Sequence, residues 1–196
     1  DHRKVIYWPA RKALMLADVH IGKASHFRNN GIAIPTNANR NNLWMLSQLI
    51  GDYKPEQLII LGDLSHNSAN GEWEQFVDFR KMYPQMRWVL VNGNHDLLPD
   101  DAYERAQIEV HAQLKMEPFV LIHDPTDAEE GEYSLCGHVH PAIRLKGGAK
   151  QSLKLDCFYF GKSIGVLPAF GEFTGRHVIQ PEIDDRLYAI GGQEGR

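Results

Sequence analysis

The sequence has little of what marks a secreted or membrane protein. Its two cysteines, Cys136 and Cys157, are few for a chain of 196 residues, which argues against a disulfide framework and favours free thiols in a reducing compartment. No apolar run reaches the length of about 18 residues that a transmembrane helix needs, and the N-terminal stretch lacks the apolar core and cleavage site of a secretory signal. We therefore expect a cytoplasmic protein that makes no use of a membrane.

The chain also lacks an excess of positive charge, since its formal net charge at pH 7 is -4. Without a basic field, an anionic substrate has to be held by a local device such as metal ions or a few lysines and arginines. Apolar residues make up 43% of the sequence, enough to bury a real core. We expect one domain over residues 1–196.

Short apolar runs alternate with helical patterns in the first half of the chain. The stretches ALMLADV, QLIILGD and RWVLVNGNHD are typical of buried strands. Apolar spacing predicts helices in TNANRNNLWMLSQLI, with Thr36 or Asn37 as N-cap, and in EWEQFVDFRKMY. In the second half, short apolar runs are separated by Gly and Pro, which predicts further strands. The fold class is therefore α/β (α+β), with two packed sheets and helices outside.

Five of the strand-like runs end in Asp, Asn or His. The candidate residues are Asp18, His20, Asp63, Asn94, His123, His138 and His140. Ligand sites in α/β sheets lie beyond the carboxyl ends of the strands, so these side chains can converge on one point. Residues i and i+2 of an extended segment face the same side, so the pair at 18 and 20 and the pair at 138 and 140 can each reach one centre.

A single D-x-H or H-x-H in a loop is more often a solvated turn than a metal site, but five such segments are hard to explain as turns. Oxygen and imidazole ligands without thiolate favour Mn, Fe or Zn and disfavour a structural zinc site. Seven candidates are too many for one tetrahedral ion and fit two ions that share a carboxylate, for which Asp63 after Gly62 is the natural choice. Two divalent ions would leave a positive surplus that attracts a phosphate ester.

The ordered set D-x-H, G-D, G-N-H-D, H and G-H-x-H, from Asp18 to His140, resembles the calcineurin-like metallophosphoesterases. The resemblance implies a four-layer sandwich of two mixed β-sheets flanked by helices. It also implies one ion held by Asp18, His20, Asp63 and His140, and a second held by Asp63, Asn94, His123 and His138. In this family His95 would lie near the leaving group or donate to the phosphate, with Asp96 orienting it. Asp124 departs from the Gly that many relatives have after the histidine.

The stretches LADVHIGKASHFRNNGIAIP and LPAFGEFTG extend the likeness to nearly the whole chain and are similar to the ligase-associated DNA damage response endonucleases of the PdeM family. This resemblance implies a role in DNA repair with a DNA ligase, a nuclease and a helicase as possible partners. Arg176 departs from it, because the family commonly has Gly at the end of FTGG.

These features predict a dinuclear metal-dependent phosphodiesterase, a DNA endonuclease in which a hydroxide bridging the two ions attacks phosphorus in line and His95 assists the leaving oxygen. Mn²⁺ is the first candidate for both ions, with Fe or Zn as alternatives. Two other functions remain open. One is a phosphodiesterase or phosphatase that acts on a small-molecule phosphate ester. The other is a non-catalytic binding scaffold of the same fold, which would have no use for seven filled ligand positions.

The loop after the first motif adds weaker candidates. Lys23, His26 and Arg28 could contact a nucleic-acid backbone beside the metal ions, or could belong to a solvated loop. His66 could support the metal ligands or cap a turn. Phe170 and Phe173 could stack on a base, although aromatic residues near apolar strands more often belong to the core.

Overall fold

The structure is a computed structural model that describes residues 1–23, 38–65, 71–147, 151–172 and 174–191. Its first sheet has five strands in chain order: β1 (Ile6–Trp8), β2 (Ala13–Leu16), β3 (Gln57–Leu61), β4 (Arg87–Val91) and β5 (Glu109–His111). β1 is antiparallel to β2, and every later neighbour is parallel. The carboxyl ends of β2, β3 and β4 therefore lie along one edge, where Asp18, Asp63 and Asn94 follow.

The second sheet has eight strands, and the second half of the chain supplies them all. They are β6 (Leu114–Met116), β7 (Phe119–Leu121), β8 (Tyr133–Cys136), β9 (Pro141–Lys146), β10 (Ser152–Phe160), β11 (Ile164–Val166), β12 (His177–Val178) and β13 (Arg186–Ala189). Their order is β12-β9-β10-β11-β8-β7-β6, and β13 pairs with β10. Because β7 and β8 are parallel, the residues that follow them, which include His123 and His138, leave the sheet at the same edge.

Three α-helices are described: α1 (Ala38–Tyr53), α2 (Gly71–Lys81) and α3 (Asp100–Arg105). Two short 3₁₀ helices cover Pro9–Arg11 and Pro125–Asp127. α1 continues to Tyr53, past the Gly51 near which its end is expected. Its predicted N-cap residues, Thr36 and Asn37, lie outside the described residues.

The strands of the first sheet are apolar on both faces because both faces are covered. Side chains of a strand alternate between faces, and the even-numbered residues Leu14, Ile60 and Leu90 pack against the helices. Odd-numbered residues such as Met15 and Ile59 pack against the second sheet. This double burial explains why β2, β3 and β4 read as continuous apolar runs.

The structure confirms the predicted class, with two mixed β-sheets, few helices and an α/β architecture. The described helices contribute to the core on the first sheet, whereas the cluster on the outer face of the second sheet contains strand and loop residues. β1 and α3 were not predicted, because elements of three and six residues are too short to show a periodic pattern.

Both cysteines, Cys136 and Cys157, are free and buried, as expected. Within the described residues, no helix combines the length and the apolar character needed to cross a membrane.

Candidate metal centre

Backbone hydrogen bonds join the loops that follow the strands into one cluster. The N–H of Asp18 donates to the carbonyl of Gly62 at 3.1 Å, and the N–H of His20 donates to the carbonyl of Asp63 at 2.9 Å. The N–H of His138 donates to both carboxylate oxygens of Asp18 at 3.1 Å. The first sheet and the second sheet thus contribute to the same site, as the motif order predicted.

Most of the candidate ligands share an unusual backbone conformation. A positive φ is found at five of the seven: Asp18 (55°), His20 (52°), Asp63 (52°), His138 (66°) and His140 (52°). A non-glycine residue in this region costs on the order of 1 to 3 kcal/mol and persists only where its surroundings hold it. Such strain collects at functional sites, and five of the nine non-glycine residues with positive φ among those described belong to this cluster.

Asp18, His20 and His140 form the first ligand group, whose ligand atoms all lie within 4.8 Å of one another. Asp18 is fully buried, and its Oδ1 lies 3.3 Å from Nε2 of His140. The ring centroids of His20 and His140 are 5.6 Å apart in an edge-on arrangement. Three side chains from two motifs far apart in the sequence are therefore brought to one point.

Asp63 lies between this group and the second one. Its Oδ2 is 3.8 Å from Nε2 of His20, and its Oδ1 is 3.3 Å from Nε2 of His123. Asp18, Asp63 and His123 form another group whose ligand atoms lie within 4.8 Å of one another. Each oxygen of this buried carboxylate thus lies within 4 Å of a different histidine, which is compatible with a bridging ligand.

The second group shows which ring nitrogens are available as ligands. Nδ1 of His123 lies 3.0 Å from the carbonyl oxygen of Leu61, so Nδ1 carries the proton and donates it there. Nε2 then has a lone pair for a metal ion, and it lies 3.2 Å from Oδ1 of Asn94. Nδ1 of His138 lies 3.2 Å from Nε2 of His123. Asn94 and His138 are exposed, so this side of the site is open to solvent.

Asp124 is a functional candidate that the sequence marked only as a departure from relatives. Its Oδ2 lies 3.6 Å from Nε2 of His138, which favours a proton on that nitrogen and leaves Nδ1 for a ligand role. Hydrogen bonds from the backbone and side chain of Thr126 hold the pKa of Asp124 below its ordinary value, and His138 acts in the same direction. The signal in the sequence was its position directly after His123.

Glycine stands where the segments of the site touch. A Cβ added at Gly62 would lie 2.0 Å from Nδ1 of His123, and one at Gly93 would lie 2.3 Å from Oδ1 of Asp63. At Gly137 the nearest atoms, at 2.7 Å, include Oδ2 of Asp18. Gly62 was predicted to allow close approach, and the structure specifies its neighbour: it makes room for the His123 ring.

His95 reaches the site from the loop after β4. Its N–H donates to Oδ1 of Asp63 at 3.0 Å, and its ring centroid lies 5.6 Å from that of His20. The side chain is half-buried. It is therefore beside the candidate metal ligands and accessible from solvent, as a proton donor to a substrate must be.

Asp96 stabilises the loop that carries His95 through hydrogen bonds. Its Oδ1 accepts from the N–H of Ser65 and its Oδ2 accepts from the N–H of Gly93, both at 2.9 Å. Burial raises the pKa of Asp96 to about 6 against the opposing effect of these hydrogen bonds. Both oxygens thus accept from the backbone, so Asp96 positions the loop that carries His95. That it orients the His95 side chain stays a prediction.

Of the three predicted substrate contacts, Lys23 is described and lies beside the site. Its N–H donates to the carbonyl of His20 at 3.1 Å. Burial lowers the pKa of its ammonium group, and the nearby carboxylates of Asp18 and Asp63 act in the opposite direction. His26, Arg28, His66 and Phe173 lie outside the described residues, and Phe170 is a buried core residue that cannot stack on a base.

The donor set fits divalent metal ions. Two buried carboxylates, Asp18 and Asp63, lie in one cluster, and buried charge is costly unless it is paired or coordinates a metal. Within the part of the chain that the structure describes, the buried Nε2 of His140 makes no hydrogen bond. Carboxylate oxygens and imidazole nitrogens without thiolate suit Mn, Fe or Zn.

The comparisons with known proteins agree with this geometry. The chain belongs to the calcineurin-like phosphoesterase family, whose model matches residues 11–146. The crystal structure of Pseudomonas putida nuclease MPE is similar at 38% identity and a TM-score of 0.83, with 97% of this chain and 90% of that chain covered. The resemblance seen in the motifs is confirmed, and the protein is a phosphoesterase of a family that uses divalent metal ions.

Two further solved structures are more distant. The phosphoesterase Yfce from E. coli is 16% identical at a TM-score of 0.42, with 80% of this chain and 77% of that chain covered. The protein of unknown function AQ665 from Aquifex aeolicus is 20% identical at a TM-score of 0.46, with 65% and 78% covered. No curated protein is similar enough to count as a match.

The contact between Gly62 and His123 predicts a specific loss of metal. In Gly62→Ala the new methyl group would overlap the His123 ring and displace it from the ligand group around Asp63. We therefore expect the protein to stay folded and to lose about half of its bound metal. Metal content by elemental analysis and folding by circular dichroism measure this. Gly131→Ala is the matched control, because Gly131 also has a positive φ but no atom lies within 4 Å of the added Cβ. Equal metal content in both variants would contradict the assignment of His123.

Proposed function

We propose that the protein is a dinuclear metal-dependent phosphodiesterase that cleaves DNA. The observation that carries this proposal is the position of Asp63, whose Oδ2 lies 3.8 Å from Nε2 of His20 and whose Oδ1 lies 3.3 Å from Nε2 of His123. A two-ion site of this kind is a general device for hydrolysing phosphodiesters. The similarity to a nuclease over 97% of the chain supports a nucleic-acid substrate.

The resemblance of the motifs implies which residues would hold the two ions, and the two measured groups contain five of them: Asp18, His20, Asp63, His123 and His140. Asp18, His20, Asp63 and His140 would hold one ion, and Asp63, Asn94, His123 and His138 would hold the other. When bound, two divalent ions polarise the oxygens of the scissile phosphate, neutralise developing charge and supply an activated water. Mn²⁺ is our first choice for both, because the donor set combines oxygen and imidazole.

The chain's own residues supply the remaining chemistry. Nδ1 or Nε2 of His95 gives a proton to the leaving oxygen, and Asp63 and Asp96 fix the loop from which it acts. Lys23 interacts electrostatically with the carboxylates of Asp18 and Asp63 and would contact a phosphate bound there. The open side at Asn94 and His138 admits a polymer that continues beyond the site.

We propose that the protein acts in DNA repair in the cytoplasm, together with a DNA ligase, a nuclease and a helicase. Its support is the motif-level similarity to PdeM endonucleases from Asp18 through LPAFGEFTG. His26 and Arg28 remain proposed phosphate contacts on the same grounds.

An assay on matched substrates tests the proposed function. We expect the metal-loaded protein to cleave single-stranded or duplex DNA internally and to hydrolyse bis-p-nitrophenyl phosphate, with Mn²⁺ giving the highest rate. Hydrolysis of the small diester without cleavage of DNA under Mn²⁺, Fe²⁺ or Zn²⁺ would favour the small-molecule phosphodiesterase. Absence of both activities would favour the binding scaffold.

The position of His95 predicts a leaving-group effect. Loss of an acid–base group lowers turnover by roughly 10² to 10⁴, and this loss should be large for DNA, whose leaving alkoxide needs a proton, and small for the good leaving group p-nitrophenolate. We therefore expect His95→Ala to lose DNA cleavage selectively while it keeps its metal. Turnover numbers on both substrates and elemental analysis measure this. A loss of metal would make His95 a ligand, and equal losses on both substrates would exclude it as the acid.

A further inference from the structure

A long antiparallel hairpin begins directly after the candidate ligand His140. It consists of β9 and β10, and its register places Arg144 opposite Lys154 and Lys146 opposite Ser152. Residues that are directly opposite in an antiparallel pair share a face, as do residues two apart on one strand. Arg144, Lys146 and Lys154 therefore lie on one face of the hairpin, which we call the basic face.

The other face of the hairpin is aliphatic. Leu145 is opposite Leu153, and Ile143 is opposite Leu155. The alternation of the two strands thus separates the cations from the apolar residues completely in this part of the hairpin. Such a separation presents positive charge in one direction only.

The basic face carries charge that no carboxylate of the described residues neutralises. Like charges directly opposite each other destabilise a strand pair, and Arg144 and Lys154 are in that position. Some cations elsewhere are paired, for example Arg87 with Glu109 and Arg105 with Asp101. Among the described residues, no carboxylate pairs with a cation of the basic face, and Lys154 donates instead to the carbonyl of Arg176.

A stretch of mixed charge lies between the basic face and the metal centre. Asp156 follows on the same face, two residues beyond Lys154, and its carboxylate contacts Lys4 and Arg176. Next to it is a cavity of about 410 Å³ lined by Lys4, Asp156, Gly171, Glu172, Thr174 and Arg176. The N–H of Gly171 donates to the carbonyl of Asp18 at 3.0 Å, so the wall of this cavity is joined to the first ligand group.

We propose that the basic face binds the phosphates of a DNA strand on one side of the scissile phosphate. This inference rests on the proposed function, because it assumes a polymer held at the metal centre. The six residues of β9 span about 20 Å. The phosphates of one strand recur about every 3.4 Å along the axis of duplex DNA, and they lie further apart in an extended single strand. A strand that leaves the site beside His140 therefore places several phosphates along Arg144, Lys146 and Lys154.

The triple variant Arg144→Gln, Lys146→Gln, Lys154→Gln tests this surface. Each phosphate that a protein neutralises on single-stranded DNA contributes about -0.7 to the slope of log affinity against log salt. We therefore expect the salt slope of kcat/KM on a single-stranded oligonucleotide to become flatter by roughly 2 in the triple variant, with a higher KM. Its activity on bis-p-nitrophenyl phosphate stays unchanged, because that diester has no phosphate beyond the reacting one.

The matched control is Lys54→Gln, Lys162→Gln, Arg186→Gln, which removes the same charge from three exposed cations. These lie at the opposite end of the sheets, since Lys54 precedes β3, Lys162 precedes β11 and Arg186 is opposite Phe160. An unchanged slope in the hairpin variant, or an equal change in the control, would overturn the inference and leave the proposed function standing. A wild-type protein that hydrolyses the small diester and never cleaves DNA would overturn both.

Discussion

The candidate metal centre depends on the close approach of backbone segments that only glycine permits. Gly62, Gly93 and Gly137 each precede a candidate ligand by one residue, and at each of them a Cβ would lie within 2.8 Å of another segment of the site. Gly171 has the same role at the carbonyl of Val19, 2.3 Å from its own added Cβ. If these contacts were wider, Asp63 could not reach both ligand groups with one carboxylate.

The two sheets are the scaffold for this approach. Parallel pairing of β2, β3 and β4 in one sheet and of β7 and β8 in the other brings the carboxyl ends of five strands together. The core between the sheets fixes their separation through residues such as Met15 and Leu135. Hydrogen bonds then decide which ring nitrogen of a histidine carries the proton, as the carbonyl of Leu61 does for His123. The ligand chemistry therefore depends on the same fold that the apolar packing builds.

The candidate ligands could be proposed from the sequence because strand ends are readable as apolar runs that stop at Asp, Asn or His. The sequence could not predict the positive φ angles at Asp18 or His140, since these depend on how the loops pack. The backbone partners of Asp96 could not be predicted for the same reason: Ser65 and Gly93 come close to it only in the fold. The basic face could not be predicted from the sequence either, because Arg144 and Lys154 share a face only through the register of β9 and β10.

The central claim, that Asp63 bridges two ions, is tested most directly by anomalous diffraction from crystals grown with Mn²⁺. The account predicts two anomalous peaks about 3.5 to 4 Å apart, as is usual in two-metal sites, with one oxygen of Asp63 on each. A single peak at the group of Asp18, His20 and His140, or two peaks that share no contact with Asp63, would contradict it.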